Sequence, residues 1–173
     1  MSRKERNEHI VNQFTTWMDP PYCHCELEFM NTKSLAVYAN QRVQIRQREF
    51  DPLRYDTIKL HCEEHEYNRA LATAHSLTDL NFSWLALLNC YFQLHTKVAS
   101  GVCCSQICAE VLQAGNLISE NINPAFVSPS RLHVLLQNEN TKQLKYNEAI
   151  DATNDALDWK LDTSAMKEHV CHI

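Results

Sequence analysis

The sequence predicts an all-α protein: a single-domain, irregular bundle of six or seven helices around a central hydrophobic helix over 80–99, with a small β element as the alternative within 23–50. Three observations point there. A chain of 173 residues fits one domain able to bury one core. Apolar residues recur at helical spacing along most of it. The connections between those periodic segments are short, as between neighbours in a bundle.

The elements follow in order. Ser2 caps a first helix to about Trp17, with Ile10, Phe14 and Trp17 on one face, and the paired prolines of "MDPPY" end it. In 23–50, "CELEF" and "RVQIRQ" alternate while "SLAVYA" fits strand or helix. Residues 33–48 are read as helix because "ANQRVQIRQRE" lacks turn signals, with a β-meander as the alternative. Asp51-Pro52 supplies an N-cap and a first-turn proline for a long helix to about Ser76. Thr78-Asp79 restarts the pattern into the hydrophobic helix 80–99, which carries Leu80, Trp84, Leu87, Leu88 and Tyr91 and ends at Gly101. A helix over 103–119 directs Ile107, Val111 and Ile118 inward, and Ser128-Pro129 opens another with Leu132, Leu135 and Leu136. Tyr146, Ile150, Thr153, Leu157 and Leu161 mark a last amphipathic helix, followed by a frayed tail over 164–173.

Composition narrows the function. Hydrophobic residues are 45% and charged residues 21%, as in a globular chain. Net charge is -5, divided as +1 over residues 1–60 (nine basic, eight acidic) and -6 beyond them (seven basic, thirteen acidic). Only the first third is therefore suited to phosphate. "MSRKERNEHI" is charged and no apolar run spans a bilayer, which predicts an intracellular protein, cytoplasmic or nuclear, without membrane contact. Eight cysteines in that setting are read as free thiols or metal ligands rather than disulfides. The chain has two glycines, and neither lies in a phosphate-cradling or dinucleotide pattern, so no nucleotide cofactor is expected.

One stretch, "DTIKLHCEEHEYNRA", carries three competing readings. On a helix, Cys62 and His65 would share a face, and with Cys23 and Cys25 they make a four-ligand set for one structural zinc; His24 and His61 are the substitutes. Leu60, Tyr67 and Leu71 equally form the inner stripe of an amphipathic helix. In the third reading, Leu60-His61-Cys62-Glu63-Glu64 resembles, over those five residues alone, the Leu-x-Cys-x-Glu motif of proteins that dock to the retinoblastoma-family pocket. That resemblance implies an extended segment whose Leu60, Cys62 and Glu64 contact the partner.

Other clusters are weaker. Cys104 and Cys108 are one turn apart, with Cys103 adjacent and His95 on the helix before, a weak metal cluster for which packed thiols in a helix seam are the favoured reading. The tail offers His169, Cys171 and His172. Arg42, Arg46, Arg48 and Arg54, near Tyr38 and Tyr55, form a strip suited to RNA. No local signature pairs a nucleophile with a base. The one enzymatic alternative is a metal-dependent hydrolase on His61, Glu64 and His65. The sequence thus predicts a non-enzymatic regulatory or adaptor protein with a protein partner and a structural zinc; RNA binding through the arginine strip is the alternative.

Overall fold

The computed structural model describes residues 3–94, 100–139 and 167–172. It overturns the all-α expectation, because five antiparallel strands form one sheet within a mixed α/β fold. The described elements are α1 (Arg3–Met18), β1 (Glu26–Phe29), β2 (Lys33–Ala36), β3 (Gln44–Gln47), β4 (Thr57–Cys62), α2 (Glu64–Leu77), α3 (Trp84–Phe92), α4 (Cys104–Ala114), α5 (129–139) and β5 (Lys167–His172). Strand order is β3-β2-β1-β5-β4.

The corrections have local causes. Residues 33–48 are not a helix, because β2 and β3 pair across a turn in register Lys33↔Gln47 to Ala36↔Gln44. Asn40, at φ 60°, provides the left-handed turn residue that the helical reading lacked. Asp51-Pro52 opens only a single turn: the Asp51 carboxylate accepts from the Leu53 amide at 3.0 Å and its carbonyl from the Arg54 amide at 2.9 Å. The chain then extends as β4, where Ile58, Leu60 and Cys62 are buried and Thr57 and Lys59 exposed. That is a period of two, the signature of a strand with one covered face.

Helix α2 starts only after β4 ends. Glu63 and Glu66 form a reciprocal capping box, in which the Glu63 amide donates to Glu66 Oε2 at 3.1 Å. The tail read as frayed contains the strand between β1 and β4, with Cys171 opposite both Leu27 and Ile58. The helix expected over 146–161 lies outside the described residues.

The central helix is also a different one. Within α3, Trp84, Leu85 and Phe92 are exposed, and Gln93 in the left-handed region closes it. Ile107, Cys108, Ala109, Val111 and Leu112 of α4 are wholly inaccessible. Helix α4 packs on α2 and against β1, at the middle of a core that includes Leu27, Leu35, Leu60, Leu132 and Leu136. A second, smaller cluster joins Val11, Ala39, Leu87, Cys90 and Cys103, with Phe14 and Tyr91 against it. Helices α1, α4 and α5 fall where the periodicity places them, and α5 is capped by Ser128, whose hydroxyl accepts from the Arg131 amide at 3.2 Å.

Candidate active site at the start of α4

The loop that delivers Cys104 is held by backbone. Val102 donates to the Asn81 carbonyl and Ser83 to that of Val102, both at 2.9 Å. Gly101 allows this approach: at φ +95° it packs so closely that an added Cβ would lie 2.7 Å from the Asn81 oxygen. Cys103 is then the N-cap of α4 and Cys104 its first residue. A thiol in a first helical turn lies beside unpaired amides and the positive end of the helix dipole, both favouring the thiolate.

The segment Tyr22–Cys25 crosses this helix start. It is fixed by the Tyr22 amide donating to Ser130 Oγ at 3.2 Å and by the Thr15 hydroxyl donating to the Cys23 carbonyl at 3.2 Å. His24 is electrostatically coupled to Cys104 and stacks on Tyr38 at 4.7 Å between ring centroids. His24 Nε2 lies 3.3 Å from Glu26 Oε1. Two residues apart in extended chain, His24 and Glu26 point to the same side.

Glu26 is fully buried yet well satisfied. Its carboxylate accepts from the Ser34 hydroxyl at 2.7 Å, from the Tyr38 hydroxyl and from Arg48 Nη1. Burial alone would raise its pKa, but the His24, Ser34 and Arg48 interactions hold it below the usual carboxylate value. Arg48 is itself fixed, with its guanidinium 5.2 Å from the Phe50 and Tyr55 ring centroids.

The polar groups around Cys104 act together. Interaction with the Cys25 thiol is the largest influence lowering the Cys104 pKa; burial opposes this, and interaction with His24 adds to the lowering. Cys104 is thereby held well below the ordinary thiol value. For His24, burial acts to lower the pKa, but the Cys104 and Glu26 interactions carry it well above the ordinary histidine value. The two shifts run in the direction that favours a thiolate–imidazolium pair, and a carboxylate lies beside the ring. A cleft of about 270 Å³ opens at His24, walled by Tyr22, Cys23, Tyr38, Arg54 and Tyr55.

The sites expected from sequence are distributed differently. Of the zinc set, Cys25 lies against Cys104 and Cys108, whereas Cys62 is 4% exposed beside Tyr67 at the end of β4. Burial, then the charge of Glu66, raises Cys62 to about 11. Cys23 is half-buried, and His65 is exposed on α2 with Nδ1 3.1 Å from Glu63. Among the described residues no three His, Cys, Asp or Glu side chains are grouped so as to hold a metal ion. His61 is in β4 while Glu64 and His65 are in α2, so His61 and His65 do not share the helical face that the hydrolase reading needs.

The docking motif is extended from Leu60 to Cys62, as that reading requires, but both side chains belong to the core and β4 is paired with β5. Glu64 is the first residue of α2. The arginine strip divides as well: Arg48 is bound to buried Glu26, Arg46 lies 4.8 Å over Tyr38, Arg42 pairs with Asp79 at 3.8 Å and Arg54 with Asp51 at 3.6 Å. His95 lies outside the described residues, and His169, Cys171 and His172 are within β5. Among the described residues no helix is long and apolar enough to cross a membrane.

His24 was expected only as a substitute zinc ligand, and Cys104 as a packed thiol in a helix seam or a member of a weak metal cluster. Two signals could have joined them. "HCE" alternates as a strand does, placing His24 and Glu26 together, and "CCSQICAEVL" sets a cysteine at the start of an apolar helix. The chain matches no protein-family model, no curated protein and no solved structure.

Proposed function

We propose that the chain is a cysteine-nucleophile enzyme, a hydrolase or acyl transferase acting on amide, ester or thioester carbonyls. Cys104 is the nucleophile, His24 the proton carrier and Glu26 the group that orients the imidazole. The observation that carries this reading is a histidine whose Nε2 faces a buried carboxylate at 3.3 Å, and whose charge acts on Cys104 at the start of α4. Nucleophile, base and orienting acid in that order are recognised by geometry rather than chain position, and the arrangement recurs on unrelated folds. The proposal departs from the sequence-based expectation of a non-enzymatic adaptor.

The chemistry follows from the charges. The Cys104 thiolate attacks the carbonyl carbon, and the developing oxyanion is stabilised by amides at the start of α4. The His24 imidazolium gives its proton to the leaving amine, alcohol or thiol, leaving an acyl thioester on Cys104. Neutral His24 then takes a proton from water, or from an acceptor nucleophile, which attacks the thioester and frees the enzyme. Glu26, fixed by Ser34, Tyr38 and Arg48, keeps the ring in place and stabilises its charge.

The test uses p-nitrophenyl acetate, a small activated ester. The wild-type chain should release nitrophenolate in a burst of about one equivalent, with the acetyl group on Cys104. Cys104→Ala should abolish the burst, and His24→Ala should slow acylation by roughly 10²–10⁴-fold. A burst that persists in Cys104→Ala would refute the assignment.

A further inference from the structure

A second cleft, of about 480 Å³, lies against α5. Pro20, Pro21, Tyr22 and Val134 give it apolar walls, and Pro21 and Tyr22 also wall the cleft at His24. The shared Tyr22 is fixed at three points. Its amide donates to Ser130 Oγ at 3.2 Å, its hydroxyl donates to Asp56 Oδ2 at 2.5 Å, and that oxygen lies 3.0 Å from His133 Nε2. The Tyr22 and His133 ring centroids are 4.4 Å apart. Because the single hydroxyl proton goes to Asp56, the contact with His133 takes its proton from Nε2. Burial lowers the His133 pKa against the pull of the Asp56 charge, which favours a neutral ring at pH 7. Burial, then Asp56, raises Tyr22 to about 12, so the phenol is neutral as well.

The charge of this cleft therefore comes from Asp19 and Arg131, which also line it. Ser128 Oγ ties the two positions together, since it donates to Asp19 Oδ2 and accepts from the Arg131 amide at 3.2 Å. Among the described residues, however, neither side chain enters an ion pair, with the other or with a third group. Arg131 Nη1 donates to the Phe126 carbonyl at 3.3 Å, one use of a guanidinium with five N–H donors. Asp19 likewise has a second carboxylate oxygen beyond the one that Ser128 binds.

We infer that this cleft binds a small zwitterion, an α-amino acid with an apolar side chain. The ligand carboxylate meets the Arg131 guanidinium, whose fork suits two parallel hydrogen bonds. The ammonium meets Asp19, and the side chain lies against Pro20, Pro21, Val134 and the Tyr22 ring. Opposite charges that line one cleft without pairing are complementary to a ligand that carries both. A carboxylate without the ammonium would set a second negative charge beside Asp19, and an amine without the carboxylate a second positive charge beside Arg131. The volume is within the range of small-molecule sites, about 300–1,000 Å³, and apolar walls with a few polar groups are their usual lining. None of these contacts involves Cys104, so the site stands or falls apart from the nucleophile reading.

The experiment titrates the full chain by calorimetry with L-phenylalanine, with 3-phenylpropionate, which lacks the ammonium, and with 2-phenylethylamine, which lacks the carboxylate. The amino acid should bind saturably, and each analogue at least ~10-fold more weakly, the size of one lost charge-assisted contact. Arg131→Ala, a change at an exposed side chain, should reduce L-phenylalanine to the affinity of 2-phenylethylamine. Arg54→Ala, in the cleft at His24, should leave binding unchanged. Val134→Trp, at a position 54% exposed, should block the cleft and abolish binding while the circular dichroism stays that of wild type. No saturable binding of the amino acid, equal affinity for either analogue, or a loss with Arg54→Ala in place of Arg131→Ala each overturns the site. Amino-acid binding that persists in a chain without the nitrophenolate burst supports the site and refutes the nucleophile alone.

Discussion

Cys62 and Cys104 are both buried thiols with a histidine near them, one three residues away in sequence and the other eighty, and the fold gives them opposite chemistry. At Cys62 the strand ends and α2 begins, so His65 is exposed on the helix, near Glu63, while the thiol enters apolar core beside Tyr67. Burial and the Glu66 charge then push the thiol up to about 11. At Cys104 the helix start, the Cys25 donor and the His24 ring converge, and the thiol is held down. Sequence proximity of thiol and imidazole thus says little about reactivity. What matters is whether a backbone of strand and helix brings donors to the sulfur.

The largest effect that would break this comparison is alkylation selectivity. At pH 7 a thiol with a pKa of about 11 is ionised in roughly one molecule in 10⁴, whereas the lowered pKa of Cys104 leaves it a far larger thiolate fraction. A less basic thiolate is intrinsically slower, which removes about half of that advantage on a logarithmic scale. Iodoacetamide should therefore modify Cys104 at least ~10²-fold faster than Cys62, read by peptide mapping over a time course. The sign of the pH dependence follows from the lowered pKa: thiolate is present above the folded value and lost as pH falls through it. The Cys104 rate should fall less steeply as pH drops from 8 than that of an ordinary thiol, which slows about tenfold per unit. An ordinary profile at Cys104 would remove the basis for its assignment.

The same contrast explains what was legible in the sequence. Helical periodicity located α1, α4 and α5, but it misjudged the covered face of α1, where Val11 and Thr15 are buried and the expected Ile10 and Trp17 are exposed. It failed for β4, where Leu60 fits the inner stripe of a helix with Tyr67 and Leu71 as well as it fits a strand with Ile58 and Cys62. The Glu63–Glu66 cap marks the boundary, but glutamate is not among the strong N-cap types, so the run read as charge rather than as a helix start. The pairing of His24 with Cys104 could not be read at all. It depends on β1 crossing the start of α4, a contact between residues eighty apart that no spacing rule encodes. Glu26 was hidden for a different reason: composition gives a carboxylate a surface prior, and only Arg48, Tyr38 and Ser34 make its burial tolerable.

Arg48 offers the next, smaller test. If the carboxylate behind His24 is held by its cation, Arg48→Ala should cost about 3 kcal/mol in urea unfolding, the low end for breaking a buried ion pair. Exposed Arg54, paired with Asp51 at 3.6 Å, should cost under about 0.5 kcal/mol on the same change. The pH dependence gives a second readout. Because folding lowers the Glu26 pKa, its stabilisation is present above the unfolded carboxylate value and is lost as pH falls through the folded one. Arg48→Ala should move that acid loss to higher pH. Equal costs at Arg48 and Arg54 would mean that the Glu26 network contributes no more than a surface pair.

The smallest effect belongs to Cys62 itself, and it separates a packed thiol from the zinc ligand expected from sequence. A thiol that only fills core loses about one methyl-sized group of buried surface on change to alanine, so Cys62→Ala should cost about 1 kcal/mol. It should leave Cys104 alkylation unchanged, since the two sulfurs have different neighbours. Chelation with EDTA should then leave the melting temperature of wild type where it was. A structural zinc behaves otherwise, because its binding free energy is folding free energy and all its ligands share it. In that case EDTA would lower the melting temperature of wild type by several degrees and would have no further effect on Cys62→Ala. The burial that raises the Cys62 pKa is what makes this second outcome costly: a ligand thiolate there would have to form among apolar side chains, with Glu66 adding repulsion rather than a partner.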